Sequence, residues 1–419
     1  MTLYRKLVLD NSVRVVTERI PTLKSVTVGI WVNTGSRDEQ PAQAGYSHFI
    51  EHMFFKGTRS RSATEISREI DALGGEMNAF TTRETTTFYV KVLDQQLQQA
   101  VALLADLFHH SRFDPREIEK EKKVVLEEIR MVQDDPEDLV QELHTGQVLG
   151  RHPLGRSVLG CEETIRTLRR RDLMEYIEAH YDPRDIVIAI AGNFEPAKVE
   201  RLIGRYFGLK RTTTNGVRPA RRPPDVHGGV LAKQKPLEQV HLCLGLKGVP
   251  AGHRDRYAVY ALNSVLGGSM SSRLFQEVRE KRGLAYSIYS FLSGYSDVGT
   301  LTVYAGTRSK EVPRVVDLMC REIRKIGRKG IEQKELERAK NQMKGSLMLS
   351  LESSHSRMSK LAKDELTYGS RTSLADMMAQ IDRITLDHVA SVGRQLFALD
   401  QVAITGLGPI SPRALHAHI

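Results

Sequence analysis

The chain has 419 residues, of which 40% are hydrophobic and 27% are charged, a composition typical of a globular protein with more than one domain. It has no apolar run long enough for a membrane span and no apolar signal core at its start, and its cysteines form no C-x-x-C pair, so we expect a cytoplasmic protein without a disulfide framework. The net charge of +10 comes from basic residues mixed with acids along predicted helices, without the basic and aromatic pattern of a nucleic-acid site, so nucleic acid is not an expected partner.

The first half of the chain alternates between strand-like and helix-like segments. Residues 26–32 form an apolar run typical of a strand, and a helix-like segment follows at 44–55. Residues 85–92 form an alternating run that predicts a further strand. A long charged helix at 115–132 and an apolar strand at 186–192 complete the half.

The second half repeats this order of elements after a turn-rich stretch. Thr-Thr-Thr-Asn-Gly and Arg-Arg-Pro-Pro, within residues 211–224, interrupt the periodic segments. The corresponding strands and helices of the second half are predicted at 240–246, 257–266, 299–305, 332–351 and 401–406.

We interpret this repeat as an α+β fold of two homologous α/β units in tandem, each a mostly antiparallel sheet with helices packed on one face. The predicted organisation is an N-terminal domain at 1–212, a linker at 213–224 and a C-terminal domain at 225–419. No glycine-rich nucleotide motif follows a predicted strand, so nucleotide binding is not expected.

The helix predicted at 44–55 contains His48-Phe49-Ile50-Glu51-His52, which has the form H-x-x-E-H. His48 and His52 are four residues apart and therefore lie on one face of a helix, where both imidazoles can bind the same metal ion. Glu51 lies beside them. This order is the reverse of H-E-x-x-H and is typical of a zinc-binding peptidase site.

A catalytic zinc ion needs a third protein ligand, and the helix at 115–132 offers candidates. Asp114 suits the N-cap and Pro115 the first helical position. Glu121 and Glu128 fall on one face of this helix, beside apolar residues that indicate partial burial. A solvated face laced with salt bridges is the alternative, and the residues alone leave it open.

Four segments carry a resemblance to a known family. H-F-I-E-H-M-F-F-K-G-T, which begins at His48, is similar to the active-site segment of the pitrilysin/insulinase metallopeptidases, most closely to the processing-peptidase branch that includes the catalytic subunit of the mitochondrial enzyme. The resemblance continues at 74–81 (G-G-E-M-N-A-F-T), at 266–275 and at 279–286, and it covers nearly the whole chain.

The resemblance implies a zinc-dependent metalloendopeptidase with one zinc ion per chain. It makes His48, His52 and Glu128 the zinc ligands and Glu51 the base that takes the proton of the attacking water. Glu121 matches a family glutamate that orients a ligand imidazole. The expected substrates are extended or unfolded polypeptides, in precursor processing or in peptide degradation.

The same resemblance implies that 74–81 is an edge strand on which the substrate lies as an added strand. Asn78, Ala79 and Phe80 would bind the substrate there, mainly through its backbone.

The resemblance also assigns Arg279 and Tyr286 to a family pair that contacts the substrate carbonyl near the metal, where both are suitable donors to a developing oxyanion. Arg282 is the rival for Arg279, and the spacing to the tyrosine favours Arg279. Some relatives divide the zinc motif and this pair between two different subunits. Because one chain has both here, we expect a homodimer in which each chain's pair completes its partner's zinc site.

Two other classes of function compete with this interpretation. One is a non-catalytic scaffold of the same fold, such as relatives within respiratory complexes; loss of a zinc ligand or of Glu51 would mark it, and none is missing. The other is a binder of acidic surfaces that uses the basic charge of the chain.

Overall fold

The computed structural model describes residues 3–208 and 220–416. The strands of this part of the chain are β1 (Leu3–Val8), β2 (Arg14–Arg19), β3 (Ser25–Val32), β4 (Glu76–Thr81), β5 (Thr86–Leu93), β6 (Ile186–Gly192), β7 (Gly229–Gln234), β8 (Val240–Lys247), β9 (Ala285–Gly294), β10 (Gly299–Thr307) and β11 (Ala403–Gly408).

The α-helices of the same part are α1 (Tyr46–Met53), α2 (Ala63–Ala72), α3 (Leu97–His110), α4 (Pro115–Asp134), α5 (Pro136–Leu149), α6 (Glu162–Thr167), α7 (Arg170–His180), α8 (Pro196–Phe207), α9 (Arg256–Leu266), α10 (Val312–Lys329), α11 (Gln333–Ser350), α12 (Ser354–Tyr368), α13 (Leu374–Asp382), α14 (Leu386–Leu396) and α15 (Pro412–His416). A π-helix spans Phe275–Glu280. Every predicted strand and helix is present, with ends that differ from the prediction by no more than two residues.

The chain forms two compact units, and each draws on both halves of the sequence. Unit 1 comprises the described residues of Met1–Arg130, Arg156–Arg221 and Leu349–Arg371, and unit 2 comprises those of the remaining segments. The predicted domain division at 213–224 stays a prediction, and residues 213–219 lie outside the described part of the chain. No helix among the described residues is long and apolar enough to cross a membrane.

The sheet of unit 1 has the strand order β1-β2-β6-β3-β5-β4. All neighbouring pairs are antiparallel except β2 and β6, which run parallel. Helices α1, α3, α4, α7 and α8 bury their apolar side chains against one face. The opposite face, which includes Trp31 and Val187, packs against Met358 and Leu361 of α12.

The sheet of unit 2 has the order β7-β11-β8-β10-β9, again with a single parallel pair, β7 and β11. Its main core lies between one face and the helices α9, α10 and α14. The other face packs against α5, through Leu139 and Val140 at one end and Val148 and Leu149 at the other.

The predicted fold class is therefore confirmed, but helices cover both faces of each sheet and not one. The physical reason is visible in the central strands: every residue of β6 is buried, and so is every residue of β3 after its first. Strands that are apolar on both faces need cover on both. In each unit the helix on the second face comes from the opposite half of the sequence. Unit 1, formed mainly by the first half, is covered by α12 of the second half, and unit 2, formed mainly by the second half, is covered by α5 of the first half.

A glycine in each sheet lets the helix on the second face, α12 in unit 1 and α5 in unit 2, approach the sheet closely. A Cβ atom at Gly29 of β3 would collide with the Met358 side chain, and a Cβ atom at Gly245 of β8 would collide with the His144 imidazole. His144 is fully buried, its Nδ1 lies 2.9 Å from Thr405 Oγ1, and burial lowers its pKa to about 3, so the ring is neutral. Both glycines therefore have a packing role.

Candidate metal centre

Helix α1 presents the H-x-x-E-H motif from a firmly packed position. Phe49, Ile50 and Met53 are completely buried in the core of unit 1, which turns His48 and His52 towards the opposite side of the helix. The helix begins after Gly45, whose φ of 93° lies in the left-handed region that favours glycine.

A buried carboxylate holds the start of this helix. Glu39 accepts hydrogen bonds from the backbone N–H groups of Gly45 at 2.9 Å and Ser47 at 2.8 Å. These bonds satisfy donors that the first turn of a helix leaves unpaired. Burial raises the pKa of Glu39 to about 8, against the opposing effect of these bonds.

Helix α4 supplies the acidic side of the site. Asp114 caps it, as predicted, by accepting a hydrogen bond from the Arg116 N–H at 2.8 Å. Ile118, Val125 and Ile129 anchor the helix in the core. Glu121 is only 4% exposed, so for this residue the alternative of a solvated helix face is wrong.

The two helices bring three ligand atoms together. His48 Nε2 and His52 Nε2 are 3.2 Å apart, and Glu128 Oε2 lies 3.6 Å from each of them. Four-coordinate zinc holds nitrogen and oxygen ligands at about 2.0–2.2 Å, which places tetrahedral ligands roughly 3.3–3.6 Å from one another. The observed separations fit such an ion.

The hydrogen bonding of the Glu128 carboxylate also agrees with a metal site. Glu128 Oε2 is buried and has no hydrogen-bond partner within the described residues, although a buried carboxylate oxygen normally has one. His48, His52 and Glu128 are also the only three His, Cys, Asp or Glu residues of the described ranges that could hold a metal ion together.

Glu121 fixes the orientation of one imidazole. Its Oε1 lies 2.8 Å from His52 Nδ1, which leaves His52 Nε2 directed at the other two ligand atoms. Its Oε2 accepts from Lys56 Nζ at 2.7 Å. Burial alone would raise the pKa of Glu121, but the hydrogen bonds from His52 and Lys56 outweigh it and lower that pKa.

The two histidines differ in their electrostatics. Burial, with a smaller contribution from the neighbouring His52, lowers the pKa of His48 to about 4, which keeps this imidazole neutral at pH 7 as a metal ligand must be. Burial also acts to lower the pKa of His52, but the hydrogen bond to Glu121 and the charges of the nearby carboxylates raise it overall.

Glu51 points to the end of strand β4. Thr81 Oγ1 donates a hydrogen bond to Glu51 Oε2 at 2.6 Å. Burial raises the pKa of Glu51, and the charge of Glu128 adds to that rise, whereas the bond from Thr81 opposes it. A carboxyl with a raised pKa is suited to accept and return a proton near neutral pH.

Strand β4 lies at one edge of the sheet of unit 1, as predicted for the substrate strand. The side chain of Asn78 is exposed, and its Oδ1 accepts a hydrogen bond from the Ala79 N–H at 2.8 Å. Phe80 turns into the face that α12 covers, where its ring meets Trp31 at 5.5 Å between centroids. The ring of Phe80 is therefore engaged in packing against Trp31.

Arg279 and Tyr286 lie next to each other in unit 2. The guanidinium carbon of Arg279 is 4.7 Å from the centre of the Tyr286 ring, and Tyr286 is 79% exposed. The rival Arg282 instead donates to the backbone oxygen of Glu277 at 2.7 Å and to its carboxylate at 2.6 Å. This difference supports the choice of Arg279.

Sequence reasoning missed two residues of the metal centre, Thr81 and Lys56. Thr81 is the last residue of the G-G-E-M-N-A-F-T segment. Lys56 stands four residues after His52 and can reach a residue that contacts that histidine. Neither has a residue type that by itself signals a metal site, and only the fold shows their partners, Glu51 and Glu121.

Two units with similar sheets, one of which carries an H-x-x-E-H helix beside a glutamate-bearing helix, are typical of a class of zinc peptidases. A model described as insulinase (peptidase family M16) matches residues 14–162, and one described as peptidase M16 inactive domain matches residues 167–343. The chain belongs to peptidase family M16, the insulinase family.

Relatives that align over nearly the whole chain are named zinc proteases. The chain is 45% identical to the Bacillus subtilis protein named uncharacterized zinc protease YmxG over 394 residues, which covers 93% of this chain and 95% of the relative. It is 40% identical to an uncharacterized zinc protease of Streptomyces coelicolor, with coverage of 98% and 90%.

Solved structures support the fold. A protease from Helicobacter pylori matches with a TM-score of 0.90 at 23% identity and covers 98% of this chain and 100% of its own. A chain of Complex III2 from Candida albicans matches with a TM-score of 0.85 at 21% identity and covers 99% of both chains. At these identities the likeness concerns the fold alone.

Proposed function

We propose that this chain is a zinc-dependent metalloendopeptidase that hydrolyses peptide bonds in extended or unfolded polypeptides. The observation that carries the proposal is the meeting of His48 Nε2, His52 Nε2 and Glu128 Oε2 within 4.8 Å of one another, in a chain of a family whose members are named zinc proteases. His48, His52 and Glu128 would hold one zinc ion per chain.

The chemistry divides between the metal and the carboxylates around it. Zinc, when bound, lowers the pKa of a water molecule and polarises the scissile carbonyl. Glu51 accepts a proton from the attacking water and passes it to the leaving amine, and its raised pKa favours both transfers. Glu121 holds the His52 ring in place through Nδ1, which keeps Nε2 available.

Strand β4 is the proposed binding place for the substrate backbone. Its outer edge pairs with none of the strands in the described ranges, so an extended peptide can add to it by backbone hydrogen bonds. The Ala79 N–H donates to the side chain of Asn78, which can rotate away when a peptide carbonyl takes its place. Such binding selects extended chains over folded ones.

Arg279 and Tyr286 are the proposed donors to the oxyanion that develops on the scissile carbonyl. Both side chains present donors at an exposed surface of unit 2. We further propose that the enzyme is a homodimer in which this pair acts at the zinc site of the partner chain. The cytoplasmic location stays a prediction.

The decisive experiment measures metal and activity together. We expect about one zinc ion per chain by elemental analysis, together with cleavage of a quenched, unfolded peptide that stops with 1,10-phenanthroline and returns with added zinc. A matched folded protein should resist cleavage. Zinc without cleavage of any unfolded peptide would favour the non-catalytic scaffold, and cleavage that survives complete metal removal would refute the proposal.

The dimer is tested by mixing two impaired variants. Glu51→Gln lacks the base and Arg279→Ala lacks the donor, so each homodimer is expected to keep only a small residual activity. In a mixed dimer that acts across the subunits, one of the two sites has both groups intact, and activity should return. Absence of recovery after subunit exchange has been verified with labelled chains would contradict the shared site without affecting the zinc proposal.

A further inference from the structure

The guanidinium of Arg279 lies over the faces of two aromatic rings. Its central carbon is 4.7 Å from the centre of the Phe275 ring and 4.7 Å from the centre of the Tyr286 ring. Distances below about 6 Å from a ring centre are those of an attractive cation–π contact. Tyr286 follows from the family resemblance, but no sequence motif assigned a task to Phe275.

The local backbone explains how Phe275 reaches Arg279. Both belong to the π-helix Phe275–Glu280, in which the Lys281 N–H donates to the Gln276 carbonyl at 3.0 Å, five residues back. In a helical turn, residues four apart lie one above the other, so the ring and the guanidinium share a face. The π-helix is rare in proteins and appears mostly as single turns, frequently at functional sites.

Stacking has a chemical advantage over an ion pair at this position. A guanidinium offers five N–H donors, and all of them lie in its plane. Contact with the faces of two rings holds the group without consuming these donors. Arg282, three residues on, has its Nη1 bonded to Glu277, whereas the nearest acid to Arg279 is Glu280 at 3.8 Å.

We infer that Phe275 is a positioning residue: its ring, with that of Tyr286, clamps the Arg279 guanidinium so that its in-plane donors face the substrate carbonyl. The inference rests on the proposed function of Arg279. Phe275 itself touches no reacting atom. It acts by removing rotamer freedom from a long side chain before the substrate arrives, which saves entropy in the transition state.

The test is a double-mutant cycle with a conservative rescue in the full-length, zinc-loaded protein. Phe275→Leu keeps an apolar side chain of similar size but removes the ring, and it should lower kcat/KM by about twofold to thirtyfold, mainly through kcat. Phe275→Tyr keeps the ring and should stay within about twofold of wild type. In the Arg279→Ala background, assayed at higher enzyme concentration, Phe275→Leu should have no further effect.

A second measurement reports on the clamp without using activity. The Nε–Hε NMR signal of Arg279, assigned by its loss in Arg279→Lys, should carry a ring-current shift that Phe275→Leu reduces and Phe275→Tyr retains. Equal losses of kcat/KM from Phe275→Leu in both backgrounds would mean that Phe275 acts on the fold, and an unchanged NMR signal would show that no clamp exists. Either result overturns the inference.

The two proposals fail in different ways. Wild-type activity of Arg279→Ala would overturn the proposed role of Arg279 and the inference with it. A large loss in Arg279→Ala together with full activity of Phe275→Leu would overturn the inference alone and leave the proposed function standing.

Discussion

The two units place equivalent pairs of helices beside their sheets, and only one pair has the chemistry of a metal site. In unit 1, α1 and α4 are joined by the hydrogen bond of 2.8 Å between His52 and Glu121. In unit 2, α9 and α11 occupy the same places in the order of elements and are joined by a neutral bond of 2.8 Å, from Ser264 Oγ to Gln342 Oε1.

The difference shows how little of the fold depends on the ligands. Glu335 of α11 is a half-buried carboxylate, but Arg273 binds both of its oxygens, at 2.8 and 2.7 Å, and leaves none for a metal ion. Helix α9 buries Val259 and Leu262 as α1 buries Phe49 and Ile50. The scaffold is common to both units, and a few side chains decide the chemistry.

The largest expected effect comes from Glu51, which unit 2 does not reproduce. Glu51→Gln should lower kcat by about 10²–10⁴-fold while the protein still binds zinc, because the amide cannot accept the proton but leaves the three ligand atoms in place. Peptide cleavage and elemental analysis of the same sample measure both quantities. Loss of zinc in this variant would show that Glu51 supports the metal centre and does not act as its base.

Glu121 and Glu335 form a matched pair for a smaller effect. Glu121→Gln weakens the hold on the His52 ring, and we expect zinc affinity to fall by about 10–100-fold. Glu335→Gln disturbs an ion pair of the equivalent helix and should leave zinc affinity unchanged. Competition with a chelating dye gives both dissociation constants. Equal loss of affinity in the two variants would contradict the assignment of Glu121 to the metal centre.

The smallest expected effect concerns packing. Gly245→Ala drives a methyl group into the rigid ring of His144 and should reduce stability by about 1–3 kcal/mol. Gly29→Ala meets the flexible Met358 side chain, which can move aside, so its cost should be lower. Thermal unfolding compares the two, and His144→Ala should recover part of the loss in the Gly245→Ala background. A larger cost at Gly29 would contradict the account of the two covering helices.

Apolar periodicity was sufficient for the elements, and the H-x-x-E-H spacing was sufficient to place His48 and His52 on one helix face, because both are local signals. The choice of Glu128 and Glu121 on the distant helix α4 needed the family resemblance, because the residues alone did not distinguish them from a solvated helix face.

The sequence predicted helices on one sheet face only, because the apolar residues of α5 and α12 indicate that each helix is buried but not against which sheet. The contacts of Thr81, Lys56 and Phe275 were not predicted for the same reason, because their partners are distant in sequence or are set by side-chain geometry, and only the fold brings them together. The substrate roles of Asn78, Ala79 and Phe80 stay predictions.

The position of α12 late in the chain has a consequence for folding during synthesis. This helix completes the core of unit 1, yet it is made after most of unit 2. At about 5–20 residues per second, the ribosome needs on the order of ten seconds or more between β6 and α12. Until α12 is made, the sheet face that carries Trp31 and Val187 lacks the helix that covers it, so we expect a chain that stops at residue 348 to expose an apolar surface.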